Sequence, residues 1–379
     1  MENPVIKYAQ ASTDHEELSK IQEALEYGYF GQAYLTEQFE KELANYLETD
    51  RYVVSCNTGT SALHLSMEAL GITNGDEVIV PSFTFAATIQ AIIATGASPV
   101  FCDVDAKTGL IDPEVATTLI NTKTKAIVVV HYSGTSCDMN TFLRLKDQYG
   151  IRIIEDAAHA IGTKYQGKFI GSFGDITCFS FDSIKVMTCG EGGAVVTSSK
   201  SLQDRMRAMR LLGIERENDT SKNWKKRSAG YEISGPGFRY HMSNINAAIG
   251  LVQLTKLTSF IQRRRDICEM YIDKLRDIYE VEYLTDNVAC IAPFLFTIKL
   301  SGGRRDELKL YLRNNNVETN ISYVPNHYHK YFDKFRTSNL KETEDLYDRI
   351  LCLPLHPNLQ NSDVEKVCYL LKSFYSAKN

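Results

Sequence analysis

Lys185 lies in the run Phe179-Ser180-Phe181-Asp182-Ser183-Ile184-Lys185, with Gly190-Glu191-Gly192-Gly193 soon after, so an amine sits on a short turn between two β-rich stretches. A loop lysine on its own is usually a solvated charge. Upstream, however, the apolar run Ile151-Arg152-Ile153-Ile154 passes into Glu155-Asp156-Ala157-Ala158-His159, which places a carboxylate at the end of a strand. Further upstream still, Arg51-Tyr52-Val53-Val54 leads through Ser55-Cys56-Asn57-Thr58 to Gly59-Thr60-Ser61 and a helix. The start of a helix offers backbone N–H groups to a phosphate, and here hydroxyls as well.

An amine, a carboxylate and a phosphate cradle are the three groups that pyridoxal phosphate requires. Asp156 follows an apolar strand, so its carboxylate reaches the edge of a low-dielectric interior, where a protonated pyridine nitrogen would be a suitable counter-charge. A structural salt bridge or a helix cap is the plainer use of such a residue. His159 lies one helical turn further on and can donate to the phenolic oxygen of the cofactor. Phe85, in Pro81-Ser82-Phe83-Thr84-Phe85-Ala86, is a candidate to stack on a planar heterocycle. The glycines after Lys185 allow a tight turn. They do not form a dinucleotide fingerprint, because a strand follows them where a nucleotide loop needs a helix.

The elements that must position these groups alternate. Strand patterns at Arg51 to Ser55, Glu77 to Val80, Pro99 to Asp103, Ala126 to His131, Ile151 to Ile154, Ile176 to Phe181 and Ala194 to Thr197 are separated by helical stretches such as Ala62 to Leu70 and Ala86 to Ala94. This order predicts an α/β fold with a mostly parallel sheet between helices, and ligands gather outside the carboxyl ends of such strands. Thr60, Phe85 and Asp156 each follow a strand and can therefore converge. A long helical pattern from Ile245 to about Ile278 leads into a smaller α/β unit, with strands expected at Phe294 to Leu300 and Val317 to Ile321 and helices at Asp306 to Asn314 and Asp363 to Phe374. The expected division is an N-terminal arm and large domain over residues 1–255, then a small C-terminal domain over 256–379.

The chain has 379 residues, of which 44% are hydrophobic and 23% charged, with a formal net charge of −5. This is the composition of a soluble globular protein and disfavours a nucleic-acid partner. No stretch approaches the ~18 consecutive apolar residues of a membrane span. Nine dispersed cysteines without C-x-x-C or zinc-finger spacing, together with the absence of a charged-then-apolar leader pattern, are the pattern expected of a cytoplasmic protein with free thiols and no metal site.

These segments together resemble the DegT/StrS-type aminotransferases, pyridoxal-phosphate enzymes that act on nucleotide-linked keto sugars. The likeness runs from Gly28 to about Leu359. It is carried by Thr58-Gly59-Thr60-Ser61-Ala62-Leu63-His64, Asp76-Glu77-Val78-Ile79-Val80-Pro81, Glu155-Asp156-Ala157-Ala158-His159, Ser180-Phe181 with Lys185, Gly190-Glu191-Gly192-Gly193 and Met242-Ser243-Asn244-Ile245-Asn246. The resemblance implies the aspartate aminotransferase-like fold (fold type I), with a seven-stranded sheet. It implies that Lys185 bonds the cofactor and that Asp156 pairs with the pyridine nitrogen. His159 would contact the ring oxygen, Phe85 would stack on the ring, and Gly59, Thr60, Ser61 and Ser180 would hold the phosphate. It also implies a homodimer with shared active sites, in which the stretch around 237 to 244 comes from the partner.

Where the family usually reads Gly-Tyr-Asn-Tyr-Arg-Met, this chain has Gly237-Phe238-Arg239-Tyr240-His241-Met242, and Asp182-Ser183 replaces a common His-Pro. Arg239 is therefore expected to keep the cross-subunit phosphate contact as a charge-assisted one, and His241 to affect substrate contacts. The substrate candidates are Tyr29 and Gly31 in the aromatic segment up to Tyr34, Lys222 and Arg227 in a basic cluster, and Tyr323 and His327 in Tyr323-Val324-Pro325-Asn326-His327. The expected reaction moves an amino group from L-glutamate to a nucleotide-linked keto-6-deoxy sugar. A 4-keto sugar on dTDP or GDP is favoured, and the product is destined for a surface glycan such as lipopolysaccharide O-antigen, or for a glycosylated metabolite. Amination at C3, dehydration on the same cofactor and a non-catalytic regulator are the alternatives. Relatives that act as dehydratases carry histidine at the lysine position.

Overall fold

The computed structural model describes residues 4–215, 232–284, 287–336 and 339–376. Seven strands form one sheet: β1 (Tyr52–Cys56), β2 (Glu77–Pro81), β3 (Ser98–Cys102), β4 (Thr124–Val130), β5 (Arg152–Asp156), β6 (Ile176–Ser180) and β7 (Gly193–Thr197). Their spatial order is β1-β7-β6-β5-β4-β2-β3. Neighbours from β6 to β3 pair in parallel, and β7 runs against both β6 and β1. Each of the seven strands expected for this sheet is present to within a few residues.

Successive side chains on a strand point to opposite faces, and both faces here are apolar. Val53, Ile79, Ile127, Val129, Ile153 and Phe179 enter one buried cluster, while Val54, Val78, Val80, Val128, Ile154 and Cys178 enter another. Helices cover both faces, as a parallel sheet requires. They include α1 (His15–Glu26), α2 (Tyr34–Tyr46), α3 (Gly59–Ala69), α4 (Ala86–Ala94), α5 (Pro113–Leu119), α6 (Met139–Tyr149) and α7 (Lys200–Met209).

Helix α8 (Asn244–Leu275) runs unbroken through residue 255. Leu251, Leu254, Leu257 and Ile261 pack into the first cluster, while Ile267, Cys268, Tyr271 and Leu275 enter a third cluster around the C-terminal elements. These are α9 (Arg305–Asn314), α10 (Lys341–Arg349), α11 (Asn361–Ser376) and an antiparallel sheet of β8 (Val281–Tyr283), β9 (Phe296–Leu300) and β10 (Ile350–Leu353). The strand expected at Val317 to Ile321 does not form. Val317 bridges Ile6 and Asn320 bridges Cys352, so this segment meets a different neighbour at each point and builds no continuous ladder.

One buried charge cluster fastens the layers beneath the sheet's edge. Glu40 of α2 accepts hydrogen bonds from Ser55 N (2.9 Å) and Ser55 Oγ (2.9 Å), and pairs with Arg210 (2.5 Å) and Arg207 (2.8 Å) at the end of α7. Breaking a buried pair leaves the surviving charge without compensation. Glu40→Ala is expected to destabilise the protein by about 3–5 kcal/mol, read as a lower urea midpoint against wild type.

Candidate active site

The carboxyl ends of β1, β5 and β6 bring three chemical groups to one edge of the sheet. Alternation on β5 separates its two carboxylates. Glu155 is wholly buried, accepting from Thr177 Oγ1 (2.6 Å) and Gly174 N (2.7 Å) and facing His131 Nε2 at 3.0 Å. Asp156 faces the other way, where Thr88 Oγ1 donates to its Oδ2 (2.7 Å) and Ala158 N to its Oδ1 (3.1 Å). Burial nevertheless raises the Asp156 carboxyl above its usual range, offset only in part by those two donors and by Lys185. Asp156 thus lacks a full counter-cation, the role a protonated pyridine nitrogen plays.

Lys185 follows β6 on a turn closed by its own N–H to Asp182 O (3.0 Å). Burial pulls its amine down to about 8, against the opposing pull of Asp156 and Asp182. The Nζ stands 4.5 Å above the centroid of the Phe294 ring. His159 is held well below its usual range, by burial first and by Lys185 second, and is therefore neutral. Ser133 N donates to His159 Nδ1 (3.4 Å), so the hydrogen-bond pattern assigns the ring proton to Nε2, which faces the Tyr323 hydroxyl at 3.0 Å.

The candidate phosphate cradle lies where α3 begins. The first-turn N–H groups of a helix have no intrahelical partner and carry its positive end. A methyl group on Gly59 would lie 2.7 Å from Ser180 Cβ, and one on Gly193 would lie 2.3 Å from Thr58 O. The ends of β6, β7 and α3 therefore meet at backbone contact. Thr60 is exposed at this rim. Thr58, not Thr60 or Ser61, caps the helix, and Ser61 Oγ donates to Asn57 Oδ1 at 2.6 Å. Phe85, at the start of α4, leaves 59% of its surface exposed, with its ring 5.5 Å from that of Tyr323. An open aromatic face, a carboxylate short of a cation, a low-pKa amine and a helix start together fit pyridoxal phosphate.

The remaining sequence candidates are placed differently. Tyr323 sits on His159, inside the site. His327 is buried, at 2.7 Å from Ser82 Oγ and 3.2 Å from Glu344. The carbonyls of Phe30 and Gly31 accept from Asn244 N, which holds the Tyr29–Gly31 segment against the start of α8. Arg239 is exposed, its carbonyl near Asn57 Nδ2 at 3.4 Å, and His241 follows on the same strand-like stretch. Lys222 and Arg227 lie outside the described residues. A cavity of about 1220 Å³ between α2 and α7, lined by Glu40, Arg207 and Arg210, contains none of the groups around Lys185. The sequence reading missed Thr88 and Phe294. Thr88 falls on the inward face of the first turn of α4. Phe294 falls in the apolar run Ile291-Ala292-Pro293-Phe294-Leu295 and looks like strand core.

Residues 11–372 match the DegT/DnrJ/EryC1/StrS aminotransferase family, and the chain belongs to that family. It is a pyridoxal-phosphate-dependent aminotransferase. The chain is 34% identical to the spore coat polysaccharide biosynthesis protein SpsC of Bacillus subtilis (strain 168), over 96% of each chain. Among solved structures it is similar to the aminotransferase TlmJ of Streptoalloteichus hindustanus (31% identity, TM-score 0.91, covering 98% of this chain and 99% of that one). It is also similar to the PMP-form of the sugar aminotransferase Spr1654 of Streptococcus pneumoniae (26% identity, TM-score 0.91, 98% and 99% coverage), a protein also solved in a PLP-form. No helix among the described residues is long and apolar enough to cross a membrane.

Only the neutral amine attacks a carbonyl, and Lys185 changes charge at about 8. Below that pH the ammonium form dominates, so capture of pyridoxal phosphate by the apoprotein should quicken about tenfold per pH unit and level off above it. Stopped-flow absorbance across the pH range checks this; a rise that continues towards the ordinary lysine value of 10.5 instead of levelling off near 8 would contradict the lowering of Lys185 by burial.

Proposed function

We infer that this protein transfers an amino group from L-glutamate to a nucleotide-linked keto sugar. The favoured substrate is a 4-keto-6-deoxy hexose on dTDP or GDP, and the amino sugar made serves a surface polysaccharide. The observation that carries this reading is the corner in which the Lys185 amine, the Asp156 carboxylate and neutral His159 meet beside the start of α3, in a chain of an aminotransferase family. Its similarity to a spore coat polysaccharide biosynthesis protein and to a sugar aminotransferase supports the class of acceptor.

Pyridoxal phosphate, when bound, supplies the aldehyde that accepts the amino group and a ring that takes up electron density. The chain's residues do the rest. Asp156, fixed through both oxygens, would keep the cofactor's ring nitrogen protonated. Lys185 Nζ removes the α-proton of the amino donor and, in the return half-reaction, protonates the sugar carbon being aminated. His159, whose Nδ1 accepts from Ser133 N, keeps its Nε2 proton for an oxygen acceptor. Gly59, Thr60 and Ser180 at the rim of α3 anchor the phosphate.

A homodimer with shared sites belongs to this reading. Leu18, Leu25 and Phe30 are exposed apolar side chains that a second copy would cover, and exposed Arg239 from that copy would complete the phosphate cradle. The basic cluster of Lys222 and Arg227, with Tyr29 and His241, is assigned to the nucleotide sugar.

The experiment pairs glutamate with dTDP-, GDP- and UDP-linked keto sugars. One equivalent of 2-oxoglutarate should appear per aminated sugar, and Lys185→Ala should abolish both. Conversion of the sugar without 2-oxoglutarate would point to dehydration and overturn the assignment.

A further inference from the structure

Phe294 belongs to the segment just before β9, more than a hundred residues after Asp156, His159 and Lys185, yet it touches two of them. Its ring stacks on His159 with centroids 4.3 Å apart and planes at 30°, and Lys185 Nζ stands over its face at 4.5 Å. The ring is held from behind. Phe294 N donates to Ser133 O (3.1 Å), and Arg264 Nη1 reaches the carbonyls of Phe294 (3.3 Å), Pro293 (3.4 Å) and Leu355 (3.0 Å). Gly134, at φ +93°, closes on the same segment, since a methyl group there would lie 2.1 Å from Ala292 O. Four contacts thus hold the segment that presents one ring face to the amine, and Leu355 O holds Arg264 in turn.

We propose that the face of Phe294 is the resting platform of the Lys185 amine, holding its ammonium form whenever Lys185 is not bonded to the cofactor and setting its position relative to His159. The ring quadrupole attracts a cation over its face, more strongly where water is excluded. Without it, Lys185 would meet burial with only the carboxylates to offset it. A platform that holds the charged form without a formal negative charge keeps the amine close while leaving the Asp156 carboxylate for the cofactor. The proposal rests on Lys185 being the cofactor-bearing amine, and Phe294 is a positioning residue within that reading.

The other titratable groups that face Lys185 are Asp156 from β5, Asp182 from its own turn and neutral His159, with the Tyr323 hydroxyl behind His159. Phe294→Leu removes the stacking partner of His159, whereas a fluorinated ring of the same shape leaves these four groups in place. The test uses the full-length apoprotein and reads the pH dependence of Lys185 acetylation by brief pulses of acetic anhydride, located by peptide mass spectrometry. Three proteins are compared: wild type, Phe294→Leu, and protein carrying trifluorophenylalanine at position 294, which keeps the shape of the ring and weakens its negative face.

Loss of the ring's attraction favours the neutral amine, so the midpoint should fall by about 0.5 to 1.5 pH units in Phe294→Leu and by a smaller amount in the fluorinated protein. An unchanged midpoint in the fluorinated protein overturns the proposal, including the case in which only Phe294→Leu shifts, because that assigns the effect to packing. The readout needs neither cofactor nor substrate. Failure of the glutamate reaction would therefore sink the functional reading while leaving the platform to stand or fall on its own midpoint.

Discussion

The structure turns on a desolvated corner that holds a carboxylate and an amine without fully neutralising either. Asp156 is raised by burial and Lys185 is lowered by it, so each is pushed towards its neutral form. Single hydrogen bonds such as those from Thr88 and Ala158 contribute about 1.5–3 kcal/mol each to a charged group, against a desolvation penalty of several kcal/mol per buried ion. The corner is stable as protein and incomplete as electrostatics. Pyridoxal phosphate would complete it by supplying a protonated ring nitrogen for Asp156, an aldehyde for Lys185 and a phosphate for the start of α3, where Gly59 and Gly193 permit backbone contact.

Both halves of the chain build that corner. The sheet supplies Asp156, Lys185 and the cradle, while the walls come from later segments that cross back over it. The segment around Phe294 is pinned by Ser133, Gly134 and Arg264. Tyr323 is anchored from behind by Tyr132, whose hydroxyl donates to Ser322 O. Asn326 fastens the next turn through its Nδ2 to Ser82 O (3.0 Å) and Thr84 O (2.7 Å), beside Phe85. Buried Asp103, at the end of β3, accepts from Thr343 N (2.7 Å) and Glu342 N (2.9 Å) and so ties α10 to the sheet. Apart from those of Arg264, these are short-range bonds between segments some 160 to 240 residues apart.

That separation explains what the sequence did and did not reveal. All seven strands of the sheet were legible because fully buried strands read as apolar runs between helical periods. Asp156 and Lys185 were legible because each stands at the end of such a run. Thr88, by contrast, acts through its neighbour on β5, and nothing in its own surroundings marks it as a carboxylate's donor. Phe294 reads as core because it is buried, and only its angle to Lys185 and His159 gives it another role. His327 shows the converse: a histidine in a polar, aromatic stretch suggests a ligand contact, yet its two nitrogens face Ser82 and Glu344. Segment 317–321 has strand propensity but no continuous partner, and pairing is decided by tertiary context.

The most direct measurement is the site of covalent attachment. Apoprotein mixed with pyridoxal phosphate, reduced with borohydride and digested should carry the pyridoxyl group on the peptide containing Lys185, and protein with Lys185→Arg should carry none there. A label spread over surface lysines, or a reduced protein bearing no label, would contradict the account at its centre.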